Sequence, residues 1–205
     1  MSKNIPKRDF EDFVPSRAES DYYWHLWMTL DRYRNVEDAL TRLFKPRPND
    51  KTYLDQQDLL IKCSALNDFY STNIYSVYRV VEHYSQFDLA KRMANGDLSL
   101  VEDLRKVKMD GKEKPWNFYS FATKFCAHHN PEAFPIYDSY VDEMLRRLRN
   151  RDKTLQFRNN DLKDYVKFRD ILCDFRKAYG IEELSFREVD IMLWLGGKDC
   201  FPKKY

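Results

Sequence analysis

Two ionisable side chains, Lys124 and Asp138, interrupt the least charged stretch of the sequence. Residues 118–140 contain three charged residues, although 33% of the whole chain is charged. A stretch so poor in charge is expected in a core, where an amine and a carboxylate perturb each other's pKa. A neutral amine is a nucleophile, and a nearby carboxylate can accept its proton or stabilise a cation. Lys124 and Asp138 are therefore the candidate catalytic residues.

Two predicted helices position this pair. Asn117 is a suitable N-cap for a helix over 118–128, and Lys124 lies on the face of that helix opposite the apolar residues. Asp138 is a suitable N-cap for the next helix, over 139–150, whose positive end favours a charged carboxylate. We expect both side chains to open into one cleft.

Each of these features also has a purely structural interpretation. Asp138 can be an N-cap and nothing more, and Lys124 can be a solvated residue on the polar face of an amphipathic helix. His128 and His129 are candidate ligands or acid–base groups. Adjacent side chains on a helix diverge by about 100°, however, so a metal ion shared by the two is not expected. No metal site and no cofactor are predicted.

The remaining sequence predicts an all-α fold: an N-terminal tail over 1–20, then one helical domain of two lobes over 21–205. The chain has 5 glycines and 8 prolines, too few for a sandwich or barrel of many short strands. Further helices are predicted over 21–34, 35–44, 99–107 and 161–179, with two more between 51 and 86. A last helix begins at Ser185, in a capping box with Glu188, and is closed by Gly196 and Gly197.

The small net charge of +2 is unevenly distributed. Residues 105–153 hold eleven Lys or Arg and seven Asp or Glu, a local surplus of +4 that surrounds the candidate pair. No apolar run is long enough for a membrane span, and the N-terminus lacks the apolar run of a signal peptide. We therefore expect a cytoplasmic protein without membrane contact, whose four distant cysteines are reduced and mostly packed.

The segment around the pair resembles the active-site segment of the helix-hairpin-helix DNA glycosylase superfamily. The matching residues are Phe-Ala-Thr-Lys-Phe at 121–125, Asn-Pro at 130–131 and Phe-Pro-Ile-Tyr-Asp-Ser at 134–139. The segment is most similar to that of small prokaryotic proteins described as 8-oxoguanine DNA glycosylase-like. Trp-Leu-Gly-Gly-Lys at 194–198 also resembles the C-terminal pattern of those proteins. The resemblance implies a two-lobed helical bundle with the helix-hairpin-helix glycosylase fold.

By this resemblance, Lys124 corresponds to the lysine that attacks the sugar and Asp138 to the aspartate that assists it. The implied activity is that of a DNA glycosylase, with or without β-lyase activity, which flips a damaged or modified base out of double-stranded DNA. Such a protein would be associated with the nucleoid. Trp116, Tyr119 and Tyr137 would line the base pocket or wedge the duplex. The alternative is a non-catalytic helical module that keeps the fold and binds nucleic acid or a protein.

The glycine-rich hairpin that binds a phosphate in this superfamily is absent before the lysine helix. Residues 109–117 read Met-Asp-Gly-Lys-Glu-Lys-Pro-Trp-Asn instead. Phosphate contacts are therefore expected from basic side chains and from amides at the start of the helix. The candidate phosphate-binding residues are Lys112, Lys114, Asn117, Arg146, Arg147 and Arg149. The alternative for these cations is that they complement solvated helix ends.

Overall fold

The computed structural model describes residues 8–47 and 49–202, and within these residues the chain is predominantly helical. It contains ten α-helices and one two-stranded antiparallel sheet, which confirms the predicted all-α class. The helices are α1 Arg17–Met28, α2 Asp31–Phe44, α3 Gln56–Phe69, α4 Val77–Tyr84, α5 Leu89–Ala94, α6 Ser99–Leu104, α7 Tyr119–His129, α8 Ser139–Asp152, α9 Tyr165–Ala178 and α10 Phe186–Cys200. The strands are β1 Lys106–Val107 and β2 Trp116–Asn117, with Lys106 opposite Asn117. None of the described helices combines the length and apolarity needed to cross a bilayer.

The chain forms two compact units. Among the described residues, 8–31 and 136–202 make up the terminal unit, which contains α1, α8, α9 and α10. Residues 32–135 make up the central unit, which contains α3 to α7, the hairpin of β1 and β2, and all but the first residue of α2. The chain passes between the units twice, and the second boundary, at residues 135–136, falls within the predicted link between the lysine helix and the aspartate helix.

The core of the central unit is rich in aromatic rings. Phe125 of α7 lies edge-on to Tyr84 of α4, with ring centres 4.9 Å apart, and to Phe44 of α2 at 5.8 Å. Cys63 and Leu66 of α3 are fully buried in the same unit. Aromatic pairs of this kind stabilise a fold by about 0.5–1.5 kcal/mol beyond the contribution of the apolar area that they bury. Such packing holds α7, the helix of Lys124, in place within its unit.

In the terminal unit, α10 packs against α1 and α8, and its two glycines allow close contacts with Phe13 and Tyr140. A Cβ added at Gly196 would lie 2.4 Å from the ring of Phe13, and one at Gly197 would lie 2.9 Å from the Cβ of Tyr140. The prediction that these glycines close the last helix is wrong, because α10 continues to Cys200. The two glycines lie inside the helix, where they allow Phe13 and Tyr140 to pack closely against it.

Other boundaries also differ from the prediction. The first two helices, predicted over 21–34 and 35–44, are separated at residues 29–30. Within the predicted tail, Phe13 is fully buried and α1 begins at Arg17 with Ser16 as its N-cap, while residues 1–7 lie outside the described chain. The helix predicted over 99–107 ends at Leu104, because residues 106–107 pair with 116–117. The start of α1 is set locally, because Ser16 Oγ accepts a hydrogen bond from the Glu19 amide, whereas the end of α6 depends on strand pairing between segments about ten residues apart.

Candidate functional site

Lys124 lies in the middle of α7, where its side chain is buried in the central unit with 4% of its surface exposed. Its Nζ donates a hydrogen bond of 2.5 Å to Ser120 Oγ, one helical turn earlier, and lies 5.1 Å from the ring centre of Tyr70. Burial of an ammonium costs free energy unless polar groups replace its water. The predicted alignment of Ser120 and Lys124 is confirmed, but the alternative of a solvated lysine is wrong.

The two histidines that end α7 are hydrogen-bonded to tyrosines. His128 Nε2 lies 3.0 Å from the Tyr70 hydroxyl, and His129 Nδ1 lies 3.0 Å from the Tyr53 hydroxyl. Burial lowers the pKa of His129 well below its usual value, so its imidazole is neutral. The two rings therefore belong to separate hydrogen-bonded pairs, and the His128 pair includes the tyrosine that faces Lys124.

The start of α7 is set by the hairpin that precedes it. Asn117 is the last residue of β2, and its Oδ1 accepts a hydrogen bond of 2.9 Å from Arg105 Nε. The next amide, Phe118 N–H, donates to the Arg105 carbonyl at 2.7 Å. The N-cap residue of α7 is Phe118, so the predicted N-cap Asn117 is wrong. Pairing with the chain around Arg105 takes the place of a side-chain cap.

Asp138 is the N-cap of α8 in the terminal unit, as predicted. Its Oδ1 accepts a hydrogen bond of 2.8 Å from the backbone N–H of Tyr140. The carboxylate therefore lies at the positive end of a helix of 14 residues. An N-cap of this type satisfies one of the amides that the first helical turn leaves without an intrahelical partner.

The residue before the cap, Tyr137, is buried in a charged network. Its hydroxyl donates a hydrogen bond of 2.7 Å to Asp142 Oδ2 and contacts Lys163 Nζ, while its ring lies edge-on to Phe168. Burial, together with the hydrogen bond and negative charge of Asp142, raises the pKa of Tyr137 well above its usual value. This network fixes the backbone next to Asp138.

The three arginines predicted to contact phosphate have partners within the chain. Hydrogen bonds of 2.6–2.8 Å hold them. The partners are the carboxylate of Asp142 for Arg146, the carboxylate of Glu143 for Arg147 and the backbone carbonyl of Phe157 for Arg149. The pairs of Arg146 and Arg147 join residues four apart on one helix, and exposed pairs of this kind contribute about 0.3–0.5 kcal/mol each.

The loop between β1 and β2 carries two predicted phosphate contacts, Lys112 and Lys114, and both are exposed. Lys112 Nζ lies 5.7 Å from the ring centre of Trp116, which is 37% exposed. Tyr119 is buried beneath the guanidinium of Arg105, which lies 4.3 Å from its ring centre. Tyr137 is buried as well. Trp116 is thus the one of the three candidate wedge or pocket aromatics that reaches the surface.

A second buried lysine, Lys62 of α3, was not among the predicted site residues and has no exposed surface. Its Nζ donates a hydrogen bond of 2.7 Å to Asp58, one turn earlier, and lies 4.2 Å from the ring centre of Tyr53. Burial lowers the pKa of Lys62, although Asp58 opposes the change. Arg47 also pairs with Asp58 at 2.5 Å. The Asp–Lys spacing of four residues within an apolar helix is the signal that indicates this structural ion pair.

The two candidate catalytic residues belong to different units, Lys124 to the central unit and Asp138 to the terminal unit. Each is positioned by contacts within its own unit, and the cleft that they would share stays a prediction. Over residues 8–47 and 49–202, no group of three or more His, Cys, Asp or Glu side chains could hold a metal ion.

The comparison with protein families decides where this chain belongs. The model of the family HI_0787_N, described as an N-terminal domain, matches residues 19–133, which is more than half of the chain. The chain belongs to the HI_0787_N family. A Haemophilus influenzae protein, whose name describes it as uncharacterized, is 44% identical over 155 residues, which cover 75% of this chain and 72% of that relative. No solved structure matches the chain.

The HI_0787_N match contains the whole of α7 and ends before α8. Lys124, Ser120 and Tyr70 therefore lie within the domain that defines the family, whereas Asp138 lies beyond it. The match ends at residue 133, close to the end of the central unit at residue 135. The family domain thus contains all of the contacts described above for Lys124.

Proposed function

We propose that the protein is a DNA glycosylase, with or without β-lyase activity, that acts on a damaged or modified base in double-stranded DNA. Lys124 is the nucleophile and Asp138 assists it. The observation that carries the proposal is the burial of the Lys124 ammonium on an apolar helix. Lysines are among the residues least often buried, and a buried amine is a common form of catalytic nucleophile. The resemblance of residues 121–139 supplies the reaction class, and a helix-hairpin-helix glycosylase fold is part of this proposal.

The proposed reaction begins when the nucleotide leaves the stack. After Nζ of Lys124 has lost a proton, it attacks C1′ of the deoxyribose, the C1′–N bond breaks, and the base leaves with the bonding electrons. The hydrogen bond to Ser120 restricts the position of Nζ, which reduces the ordering needed in the transition state. Asp138 accepts the amine proton or stabilises the positive charge that develops on the sugar.

Base release from a panel of modified oligonucleotides tests this proposal. Wild-type protein should release at least one base and form a covalent adduct with DNA on addition of borohydride. Lys124→Met removes the amine and keeps an apolar stem, so base release should fall by at least about 100-fold. Lys91→Met changes an exposed lysine of the same unit and should have no effect.

Circular dichroism must show that both variants are folded as the wild type is. Undiminished base release by folded Lys124→Met would assign the nucleophile elsewhere. No release by the wild type across the panel would contradict the glycosylase proposal.

The second candidate function is a non-catalytic nucleic-acid-binding module. The exposed Lys112 and Lys114, together with the partly exposed Trp116, favour it, because they occupy the segment where the superfamily has its phosphate-binding hairpin. Such a module would bind unmodified DNA with an affinity that falls steeply with salt concentration, and it would release no base. A salt titration beside the base-release assay distinguishes the two functions.

A further inference from the structure

A second lysine of the terminal unit feels the negative charge of the Asp138 cap. Lys198 is in the last turn of α10, directly after Gly197. The missing side chain at Gly197 lets α10 approach the first turn of α8, where an added Cβ would lie 2.9 Å from the Cβ of Tyr140. Lys198 Nζ lies 6.0 Å from the ring centre of Tyr140, and the negative charge of Asp138 acts on it. Close helix packing therefore places the amine near a side chain of the first turn of α8.

The surroundings of this amine are partly apolar. Lys198 is half-buried, and its Nζ lies 3.6 Å from the ring centre of Trp194, one turn earlier. Burial lowers the pKa of Lys198 to about 8, although the charge of Asp138 opposes the change. More of this amine is therefore neutral near neutral pH than for a lysine with the usual pKa.

We propose that Lys198 is a second reactive amine, which forms an imine with the aldehyde of an abasic deoxyribose and promotes strand cleavage by β-elimination. This inference rests on the proposed function, because removal of a base is what generates an abasic sugar. It divides the reaction between two lysines: Lys124 breaks the bond between base and sugar, and Lys198 acts on the abasic product.

Cleavage of the abasic product by Lys198 needs no cofactor. Nζ of neutral Lys198 attacks C1′ of the ring-opened aldehyde, water leaves, and a C1′=N bond forms. The carboxylate of Asp138 takes a proton from C2′, and a C2′=C3′ double bond forms as the bond from C3′ to the phosphate oxygen breaks. The phosphate leaves with the bonding electrons. Water then hydrolyses the imine and returns the free amine.

The test uses one duplex with a modified base that the wild type excises and one with a preformed abasic site. Wild-type protein is compared with Lys198→Met, Lys124→Met and the control Lys177→Met, which changes an exposed lysine in the terminal unit. Base release, strand cleavage and the borohydride-trapped adduct are measured, and the adduct is mapped by peptide mass spectrometry. If no modified base in the panel is excised, the abasic duplex alone is used.

If the inference is right, Lys198→Met reduces cleavage of abasic DNA at least about tenfold more than it reduces base release. In Lys124→Met, base release is lost but an adduct with abasic DNA remains and maps to Lys198. Lys177→Met matches the wild type in every assay. These results would support both proposals.

The other outcomes separate the two proposals. Base release together with an adduct that maps to Lys124 alone overturns the role of Lys198 and leaves the proposed function standing. An adduct on Lys198 without base release from any substrate overturns the proposed function and leaves the reactivity of Lys198 standing. No adduct on either lysine overturns both.

A second measurement applies if Lys198→Met does not fold. Reductive methylation of the wild type with formaldehyde and borohydride at pH 7.5 should modify Lys198 faster than Lys177, because more of its amine is neutral. An equal or lower rate at Lys198 would overturn the inference.

Discussion

Asp138 is expected to stabilise α8 and to act in catalysis, and two substitutions separate these contributions. Asparagine keeps a side-chain oxygen that can accept the hydrogen bond from the Tyr140 amide, which is 2.8 Å long in the wild type, but it has no charge. Alanine has neither the oxygen nor the charge. Loss of an N-cap costs about 1 kcal/mol, and loss of a negative charge at a helix N-terminus costs about 0.3–1 kcal/mol.

These values give different stabilities for the two variants. Asp138→Ala should lower the free energy of unfolding by about 1–2 kcal/mol and Asp138→Asn by about 0.3–1 kcal/mol. For a chain of this size, the unfolding midpoint should fall by about 2–8 °C and about 1–4 °C, respectively. Base release should instead fall by about 10²–10⁴-fold in both variants, because both lack the carboxylate. Thermal unfolding followed by circular dichroism and single-turnover base release measure the two effects.

Asp164 provides a matched control. It is the exposed N-cap of α9 in the same unit and accepts a hydrogen bond of 3.2 Å from the Lys167 amide. Asp164→Asn and Asp164→Ala should show the same order of stability, with base release at the wild-type rate. Wild-type activity in Asp138→Asn would refute the catalytic role of Asp138 and leave it as an N-cap. Equal loss of activity in the Asp164 variants would attribute the defect to stability.

Three further predictions concern packing, acid stability and DNA binding. Gly197→Ala should lower the unfolding midpoint, because overpacking against Tyr140 costs about 1–3 kcal/mol and outweighs the gain of up to about 1 kcal/mol in helix propensity; a higher midpoint would contradict this close approach. Burial opposes ionisation of Asp142, but its hydrogen bonds, the strongest from Tyr137, outweigh burial and lower its pKa. The stability that this carboxylate provides above its unfolded pKa is therefore lost as the pH falls through its folded pKa. Asp142→Asn should therefore flatten the curve of unfolding free energy below about pH 4, and an unchanged slope would show that the network adds nothing. Lys114→Ala should reduce the dependence of DNA affinity on salt by about one phosphate contact, and an unaltered slope would place the DNA elsewhere.

Two of the predicted helix caps are confirmed, whereas the predictions for Asn117 and for Gly196, which also came from local patterns, are wrong. The cap of α8 and the capping box of Ser185 and Glu188 are present, because each joins groups within three residues of each other. Asn117 is not a cap, because β2 pairs with the chain around Arg105. Gly196 does not end α10; it lies inside the helix, in close contact with Phe13, which is distant in the sequence.

The sequence by itself determined the all-α class, the Asp138 cap and the alignment of Ser120 with Lys124, because helical periodicity and capping act over a few residues. Only the tertiary structure decided that Lys124 is buried beside Tyr70 and that Lys198 is half-buried where the charge of Asp138 acts on it. Burial depends on which distant segments cover a helix face, and the chemistry of an amine depends on how much water that packing leaves around it.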